Sequence, residues 1–541
     1  MRNMKRMAKL AMAMVLLTLI PNNVCAYDIE IDGIYYNANI EQMTLTVTYG
    51  ETNYSGSIII PSYVDYKGRT FYVKEIGNSA FRNSAIESVI IPSSVTYIGW
   101  NAFENCNQLS KVTFNEGLGS ISDDAFAGCT KLEELTIPSS VRYIRSGAFC
   151  NTGIKKLILL DGQEILYLGA AGSGGGPGAS PFGSSPTSYV YLGRTLDFIW
   201  SSPFPNMPIK EFIIGNQVKS LPEMCFKNLE IEELVIPSSV ESLGRSCITC
   251  SSLKKLIIEE SNTQLYVALY SHIPNIEYLY IGRNLKLEKY ANNFISESGK
   301  IETLILGENL SDYTDIGFSS IIKDIYVKRT VPATYTYSPF NSKTYLDATL
   351  YVPQGCVDVY KNAEGWKNFW NIKEMSGSAE IQKCSKPNIH YSNGKLVFSS
   401  STEGTTFISS ITNTDITSYI SDEIQLGVTY NIKVYATKPG YENSDVATAT
   451  LCWIDVEPKT EGISNDIAQV RANAVLIQSI DGQIVISGID DGTRIHAYEV
   501  NGRQVGSAIA YNGQANLTTN LKSGSIVIIK IGEKSVKATI K

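Results

Sequence analysis

The sequence predicts a mainly β protein, in which a solenoid of about 22–23-residue coils is followed by two small β-sandwich domains. Three observations support this fold class. A short apolar run recurs along the first two thirds of the chain, a second set of apolar positions recurs between the runs, and strand-like alternation follows residue 384. The chain has 541 residues, too many for one hydrophobic core. A repeat array or several domains is therefore expected.

The recurring run consists of an apolar residue, an outward residue and a second apolar residue, often followed by Pro. Most successive runs are 21 to 25 residues apart. A nearly fixed period of this size indicates a solenoid with one short strand per coil. The runs are Ile58–Ile60, Val89–Ile91, Val112–Phe114, Leu135–Ile137, Leu157–Leu159, Val190–Leu192, Phe212–Ile214, Leu234–Ile236, Leu256–Ile258, Leu279–Ile281, Leu304–Leu306, Ile325–Val327 and Leu350–Val352.

A second half of each coil repeats Ala-Phe, then Cys, then Leu. Phe103 is followed by Cys106, and the same offsets recur in the next coil, whereas Cys247 takes the Phe place further along. These positions are predicted to face inward, because one coil buries its apolar side only against its neighbours. Cys106, Cys129 and Cys250 share one register. We expect them to be small buried thiols rather than catalytic or metal-binding groups.

These positions carry a family resemblance. The pattern Ile-Pro-Ser-Ser-Val, Ile-Gly, Ala-Phe, Cys and Leu, clearest at residues 91–109 and 137–154, resembles the BspA-type leucine-rich repeat of bacterial surface proteins. Residues 350–372 resemble its C-terminal cap, and residues 32–36 and 54–56 its N-terminal β-rich cap. The resemblance covers residue 27 to about 375 and implies a leucine-rich-repeat solenoid of adhesive or binding character. It names no ligand, because function resides in sites rather than folds.

The first 26 residues are predicted to be a signal peptide. A basic start precedes the apolar stretch Leu10–Ile20, which is too short to span a membrane, and cleavage is expected after Ala26. In the alternative, Cys25 is the acylated first residue of a lipoprotein. The predicted division is 1–26 signal peptide, 27–80 N-terminal β cap and first coil, 81–375 solenoid with C-terminal cap, 376–383 linker, 384–456 Ig-like β-sandwich and 462–541 C-terminal β domain.

Two β-rich segments follow the repeats. Within residues 384–456, here called the β-module, residues 435–444 resemble the end of the chitobiase C-terminal-like, immunoglobulin-like module. Cys384 and Cys452 flank the β-module and pair only if its ends meet, which the sequence leaves open. Residues 497–503, with later Leu-Lys-Ser-Gly and Val-Lys elements, resemble the C-terminal sorting domains of Bacteroidetes-type proteins. That resemblance implies passage across the outer membrane and surface attachment.

The middle residue of every run is β-branched or Tyr and is predicted to point outward. Strands about 4.8 Å apart turn these residues into a continuous ladder. Acidic pairs before one run face basic pairs before the next, as at Glu133-Glu134 and Lys155-Lys156, which predicts ion pairs between coils. The ladder either holds the sheet together or forms a recognition stripe. In the second interpretation the ligand-binding candidates are Tyr191, Tyr278, Tyr280 and Tyr326.

The sequence predicts no enzyme, no cofactor and no metal site. His272, His390 and His496 lie far apart without ligand spacing, and Gly-x-Ser-x-Gly is absent. The glycine-rich stretch 169–178 lacks the Lys and Ser/Thr of a phosphate-binding loop. The net charge is −7 and no run of Lys and Arg occurs, which disfavours nucleic acid as a partner. A glycosidase-like carboxylate pair stays open, because acidic residues are plentiful.

We therefore expect a secreted or surface-displayed, adhesin-like protein that binds host or extracellular-matrix proteins through the sheet face of the repeats. Two alternatives remain: a glycan-binding surface protein, favoured by the Tyr-rich face and the chitobiase-like resemblance, and a structural surface scaffold without a specific ligand. The expected location is secreted, extracellular or at the outer-membrane surface, without a transmembrane span.

Overall fold

The computed structural model confirms the mainly β solenoid and the β-sheets that follow it. It describes residues 27–539 except 170–179, 199–201, 206, 269–275, 289–299, 314–316, 319, 334, 336–337, 376–382, 393–394, 414–428, 439–440, 442, 456–471, 481–482, 500, 520, 522–524 and 533. The predicted signal peptide, His272, almost all of the predicted linker and most of the glycine-rich stretch lie outside the described residues. The predictions for those segments stay predictions.

The chain folds as two compact units. The first comprises residues 1–156, 166–187 and 203–207, and the second comprises residues 157–165, 188–202 and 208–541. The N-terminal cap and first coil of the first unit contain β1 Ile29–Ile31, β2 Ile34–Asn39, β3 Thr44–Thr48, β4 Ser55–Ile59, β5 Tyr63–Tyr66 and β6 Arg69–Ile76, and β4 belongs to the first coil. Strands β1, β2 and β3 form an antiparallel meander, and β3 then pairs in parallel with β6.

Each predicted apolar run forms a strand, and a second short strand follows most of them. The strands are β7 Ala85–Ile91, β8 Tyr97–Ile98, β9 Lys111–Phe114, β10 Ser120–Ile121, β11 Glu134–Ile137, β12 Tyr143–Ile144, β13 Lys156–Leu159, β14 Leu166–Leu168, β15 Tyr189–Leu192, β16 Leu196–Asp197, β17 Glu211–Ile214, β18 Ser220–Leu221, β19 Glu233–Ile236, β20 Ser242–Leu243, β21 Lys255–Ile258, β22 Leu265–Val267, β23 Tyr278–Arg283, β24 Leu285–Leu287, β25 Lys300–Asn309, β26 Ile321–Val327, β27 Thr349–Val352 and β28 Asn371–Glu374.

The coils stack because equivalent strands pair in parallel with the same register. In the first unit, β4, β7 and β9 form one sheet, and β6, β8, β10, β12 and β14 continue the other. In the second unit, β19, β21, β23, β25, β26, β27 and β28 form one sheet, and β18, β20, β22 and β24 form another. Every coil thus presents one side chain to the same column as its neighbours, which is the arrangement that the 21–25-residue period predicts.

The predicted inward positions form the core of the first unit. Phe81, Phe103, Phe126 and Phe149 stack in near-parallel order, with ring centroids 4.6 to 5.1 Å apart. Cys106 and Cys129 lie beside this stack and are fully buried, and Cys250 is fully buried in the second unit. The Cys106 thiol donates a hydrogen bond to the carbonyl oxygen of Phe81 at 3.0 Å. Each thiol therefore satisfies a backbone acceptor of the preceding coil, as expected for a structural rather than a reactive cysteine.

Two short helices close the repeats in the second unit: α1 Ser342–Asp347 and α2 Val357–Asn362, followed by a 3-10 turn at Trp366–Asn368. Asn341 caps α1 by accepting a hydrogen bond from the backbone N–H of Thr344 at 2.8 Å. The Trp366 ring is fully buried and its Nε1–H donates to the carbonyl oxygen of Ala333 at 2.8 Å. The buried Trp366 ring and the two helices therefore cover the last coils and shield the apolar core from solvent.

The C-terminal strands are β29 Asn388–Ser392, β30 Lys395–Ser399, β31 Thr406–Asn413, β32 Thr429–Thr437, β33 Ala447–Asp455, β34 Ala472–Ile480, β35 Gln483–Ser487, β36 Arg494–Glu499, β37 Gln504–Ile509, β38 Gln514–Thr518, β39 Ile526–Ile531 and β40 Lys534–Thr539. One sheet runs β31-β32-β33-β34-β35-β38 and so joins the β-module to the C-terminal strands. Two apolar clusters nevertheless form, one around Val434 and one around Ile486.

Candidate functional site

The outward column consists of the middle residue of each run. Parallel register aligns Ile59, Ile90 and Thr113 in the first unit, and Val235 through Tyr326 in the second. The column members are Ile59, Ile90, Thr113, Thr136, Ile158, Tyr191, Ile213, Val235, Ile257, Tyr280, Ile305, Tyr326 and Tyr351. Since the side chains of a strand alternate between its faces, each of these points away from the interior of its own coil.

The exposure of the outward column changes along the chain. Ile59 is 69% exposed and Ile90 is 40% exposed, whereas Tyr191 is completely buried and Ile213 is 7% exposed. The same position therefore faces solvent at Ile59 and Ile90 and is covered at Tyr191 and Ile213. Exposed β-branched residues on a sheet are a candidate contact surface, and buried ones are not available to a ligand while the cover is in place.

The cover over Tyr191 and Ile213 is the β-module. Ile408 and Tyr435 of the β-module pack with these two residues in one buried apolar cluster. The Tyr191 and Tyr435 ring centroids are 6.0 Å apart. The Asn443 side-chain amide donates a hydrogen bond to the carbonyl oxygen of Ile214 at 2.9 Å, just beyond the cluster. Apolar packing and a backbone-directed hydrogen bond thus fix the β-module on this part of the column.

A buried carboxylate lies at the centre of this contact. The Tyr191 hydroxyl donates to Oδ1 of Asp161 at 2.5 Å, and the Tyr435 hydroxyl donates to the same oxygen at 3.2 Å. Burial raises the pKa of Asp161 to about 7, against the opposing effects of the Tyr435 hydrogen bond and the Lys433 charge. Burial also raises the pKa of Tyr435 well above its usual value. The contact therefore joins one solenoid tyrosine and one β-module tyrosine through a single acid.

A similar tyrosine–carboxylate pair occurs in later coils. The Tyr280 hydroxyl donates to Oε1 of Glu260 at 2.5 Å, and the backbone N–H groups of Glu308 and Asn309 donate to the two oxygens of the same carboxylate. Lys328 Nζ lies 4.9 Å from the Tyr280 ring centroid. Tyr280 is only 1% exposed, so its polar atoms serve internal bonding here.

The four predicted ligand-binding tyrosines divide into two pairs. Tyr191 and Tyr280 are buried, as described above. Tyr278 and Tyr326 are half-buried at the edge of the Tyr280 cluster. Lys255 Nζ lies 5.5 Å from the Tyr278 ring centroid, and Tyr326 stacks on Tyr351 at 4.5 Å. A role of these four in ligand binding stays a prediction, and only the second pair presents ring surface to solvent in this structure.

The residue two positions after the column residue differs between several buried and exposed column members. Gly193, Gly215, Gly282 and Gly307 stand two residues after buried column members, where Pro61, Pro92 and Pro138 stand after exposed ones. A Cβ at position 215 would lie 2.5 Å from the Tyr191 hydroxyl and 2.8 Å from the Tyr435 hydroxyl. Gly at this position therefore makes room for the tyrosine–carboxylate contact, a meaning that the repeat pattern alone did not reveal.

The predicted ion pairs between adjacent coils form at the edge of the same sheet. Lys155 Nζ lies 2.7 Å from Oε1 of Glu133, and Lys254 Nζ lies 3.2 Å from Oε2 of Glu232. All four side chains are more than half exposed, so each pair contributes little to stability. The alternating charges support the interpretation of the ladder as sheet cohesion.

A second tyrosine column lies on the short-strand sheet of the first unit, where sequence analysis missed it. Tyr97, Ser120, Tyr143 and Tyr167 share one register. The Tyr143 and Tyr167 rings stack with centroids 5.3 Å apart, and Tyr143 is 38% exposed. The signal available in the sequence was the recurrence of Tyr before the apolar residue of the second half-coil.

The chemistry of the described residues gives no sign of a metal centre. Over these residues, no group of three or more His, Cys, Asp or Glu side chains is arranged to hold a metal ion. Cys384 and Cys452 are both buried, and the Cys452 thiol donates to the carbonyl oxygen of Val475 at 3.7 Å. In the part of the chain that the structure describes, no helix is long and apolar enough to cross a membrane.

Comparisons with known proteins found a repeat family and similar solved structures. Residues 70–169 and 197–323 match six copies of the BspA type leucine rich repeat region. A leucine-rich repeat protein from Bacteroides ovatus is 16% identical over 65% of this chain and 100% of that one, with a TM-score of 0.30. One from Bacteroides capillosus is 34% identical over 21% of this chain and 86% of that one, with a TM-score of 0.20.

A leucine rich cell surface protein from Faecalibacterium prausnitzii is 16% identical over 65% of this chain and 95% of that one, with a TM-score of 0.28. Among curated proteins, none matches this sequence. The six matched copies cover much of the solenoid in both units. The chain thus contains a leucine-rich-repeat region of the BspA type.

Proposed function

We propose that this chain, which carries a BspA-type leucine-rich-repeat region, is secreted or displayed at the cell surface and binds a partner protein through its outward column. The observation that carries the proposal is the exposure of Ile59 and Ile90 on the sheet face of the first unit. Exposed apolar side chains in one column favour contact with a partner over contact with water. The repeat family and the cell-surface name of one similar protein support the location.

The first coil offers the anchor point for such a partner. A cavity of about 380 Å³ lies between β4 and the N-terminal cap, lined by Ile59, Pro61, Tyr63 and Val64 among others. Ile59 and Tyr63 are both more than half exposed. A cavity of this kind accepts an apolar side chain, the usual anchor of a protein interface. We therefore infer a protein partner that inserts an apolar side chain at the first coil.

Two further features define the partner chemistry. Asp32 and Asp65 line the same cavity, so a basic residue beside the apolar anchor would be attracted to it. Strand β4 stands at the edge of its sheet, where an extended segment of the partner can add main-chain hydrogen bonds. A host or matrix protein with an exposed basic and apolar segment fits both features.

The test measures binding of the full chain to a panel of extracellular-matrix proteins, mucins and glycans. Ile59→Ser should weaken a saturable protein interaction about tenfold or more, because it removes apolar lining from the cavity that receives the partner's anchor. Ile40→Ser is the matched control: Ile40 is 59% exposed but does not line the cavity. Equal affinity of both variants and the parent chain would show that the first coil is not the binding site.

Glycan binding is the second candidate, favoured by the exposed Tyr143 ring that stacks on Tyr167. Exposed tyrosine edges and hydroxyl groups can contact sugars, and this surface differs from the first-coil cavity. Tyr143→Ser should abolish a glycan signal and leave protein binding unchanged. If Ile59→Ser abolishes the glycan signal and Tyr143→Ser does not, the short-strand column is not the glycan site.

A further inference from the structure

We propose that the β-module is a reversible cover on the outward column, and that its attachment at Asp161 weakens as pH rises from acidic towards neutral. The contact is intramolecular and holds Tyr191 and Ile213 out of reach of any ligand. The inference extends the proposed function, because it concerns a second stretch of the same column. It does not use the first-coil cavity, so either proposal can fail without the other.

The size of the contact suits reversible attachment. Its apolar cluster contains four buried residues, Tyr191, Ile213, Ile408 and Tyr435, with a few partly buried neighbours. Hydrogen bonds across it include those of Tyr435 to Asp161 and of Asn443 to Ile214 and Asn216. Contacts of this kind between parts of one chain resemble transient rather than obligate interfaces. Release therefore needs no unfolding of either side.

Asp161 is the group in this contact that is best placed to respond to pH. The titratable and charged groups around it are Tyr189 and Tyr191 of the solenoid and Lys433 and Tyr435 of the β-module. Both tyrosines that bond it donate their hydroxyl hydrogens, and burial raises the pKa of Tyr435 well above its usual value. Lys433 is exposed, and its charge opposes the effect of burial on the pKa of Asp161.

The sign of the effect follows from the raised pKa. The ordinary pKa of an aspartate is 3.8, and burial in the contact raises that of Asp161 to about 7. Release into solvent lowers it again towards the ordinary value. Below pH 3.8 the carboxyl group of Asp161 is protonated whether the β-module is attached or released, so attachment is at full strength. Between the two values the released form loses its proton while the covered form keeps it, so the attachment equilibrium falls by up to tenfold per pH unit. Above the second value both forms are ionised and the loss levels off.

Gly215 and Gly193 support this role for Asp161. A Cβ at position 193 would lie 2.6 Å from Oδ1 of Asp161, and one at position 215 would lie 3.0 Å from the same atom. Both glycines thus leave the carboxyl group enclosed between backbone and tyrosine hydroxyls. Enclosure of a carboxyl group between backbone and hydroxyl groups, away from water, favours its neutral form.

Hydroxyl-radical footprinting of the full chain between pH 4.5 and 8 tests the proposal by the labelling of tyrosines. Tyr191 and Tyr435 should be protected at pH 4.5 and should become labelled together as pH rises. Tyr36, buried in the first unit, and Tyr63, exposed there, are internal references that should not change. All labelling pulses are given at one temperature, and a circular dichroism spectrum is recorded at each pH. An unchanged spectrum distinguishes release of the β-module from unfolding.

Two variants decide the mechanism. Asp161→Asn keeps an oxygen that accepts from both tyrosines but cannot titrate, so protection of Tyr191 should become independent of pH. Tyr435→Phe removes one hydroxyl and should raise labelling of Tyr191 across the whole range while the pH dependence persists. Protection of the parent chain that does not change with pH would overturn the proposal. The same pH profile in Asp161→Asn would overturn the role of Asp161.

Discussion

Ile90 and Ile213 occupy the same position of the repeat, yet one is 40% exposed and the other 7%. Both are the middle residue of an apolar run, and both point away from the core. The difference arises from residues far along the chain, because Ile408 and Tyr435 pack on the second position. An identical side chain in an identical local structure is therefore a surface in one region and part of a buried contact in the other.

The residue that follows the run separates the two regions more clearly than the column residue does. Pro92 follows Ile90 and Gly215 follows Ile213, in each case two positions later. Pro adds bulk and fixes the backbone, which suits an open coil. Gly leaves the space in which the hydroxyls of Tyr191 and Tyr435 approach Asp161. Beside Tyr191 and Ile213, glycine therefore accommodates the contact with the β-module.

The largest expected effect comes from Tyr191→Ala, which disrupts the contact between the β-module and the column. The variant removes a fully buried ring and one of the two hydroxyl donors to Asp161. Truncation of a buried aromatic residue costs about 3–5 kcal/mol. The decrease in the free energy of unfolding is measured by urea denaturation, monitored by far-UV circular dichroism.

Ile90→Ala is the matched control for this prediction, because Ile90 is a column residue of the open region. Its loss should cost about 1 kcal/mol or less, as expected of a partly exposed side chain. Equal losses for the two variants would mean that the β-module does not stabilise the column in solution, and the comparison between the regions would fail.

A smaller effect is expected from Gly215→Ala, which leaves all buried rings in place. The new Cβ would lie 2.8 Å from the Tyr435 hydroxyl, so the β-module or the tyrosines must shift. Overpacking of this kind costs about 1–3 kcal/mol. Gly119→Ala in the open region is the control, since its Cβ would meet its nearest atom, the carbonyl oxygen of Thr96, only at 3.4 Å. Both variants are compared by thermal denaturation. An equal decrease in melting temperature for Gly215→Ala and Gly119→Ala would contradict the role given to Gly215.

Sequence reasoning predicted the solenoid because its evidence is local and periodic. The run of apolar residues around Ile90, the stacked Phe103 and the buried Cys106 all recur at fixed offsets, and the structure confirms each of them. The contact between Asp161 and Tyr435 joins residues 274 positions apart and has no period. Periodicity placed Tyr191 on the outward face correctly, but only the packed β-module shows that this face is covered.

The smallest expected effect concerns the ion pairs, which are the same in both regions. Glu133 pairs with Lys155 in the first unit, and Glu232 pairs with Lys254 in the second, with all four side chains mostly exposed. Double-mutant cycles with Ala should give coupling energies of about 0.2–1 kcal/mol for either pair, and salt should weaken both. Since the charge ladder continues through open and covered coils alike, similar values would show that it holds neighbouring coils together and does not position the β-module. A coupling that is several times larger in the second unit would instead connect the ladder to the cover.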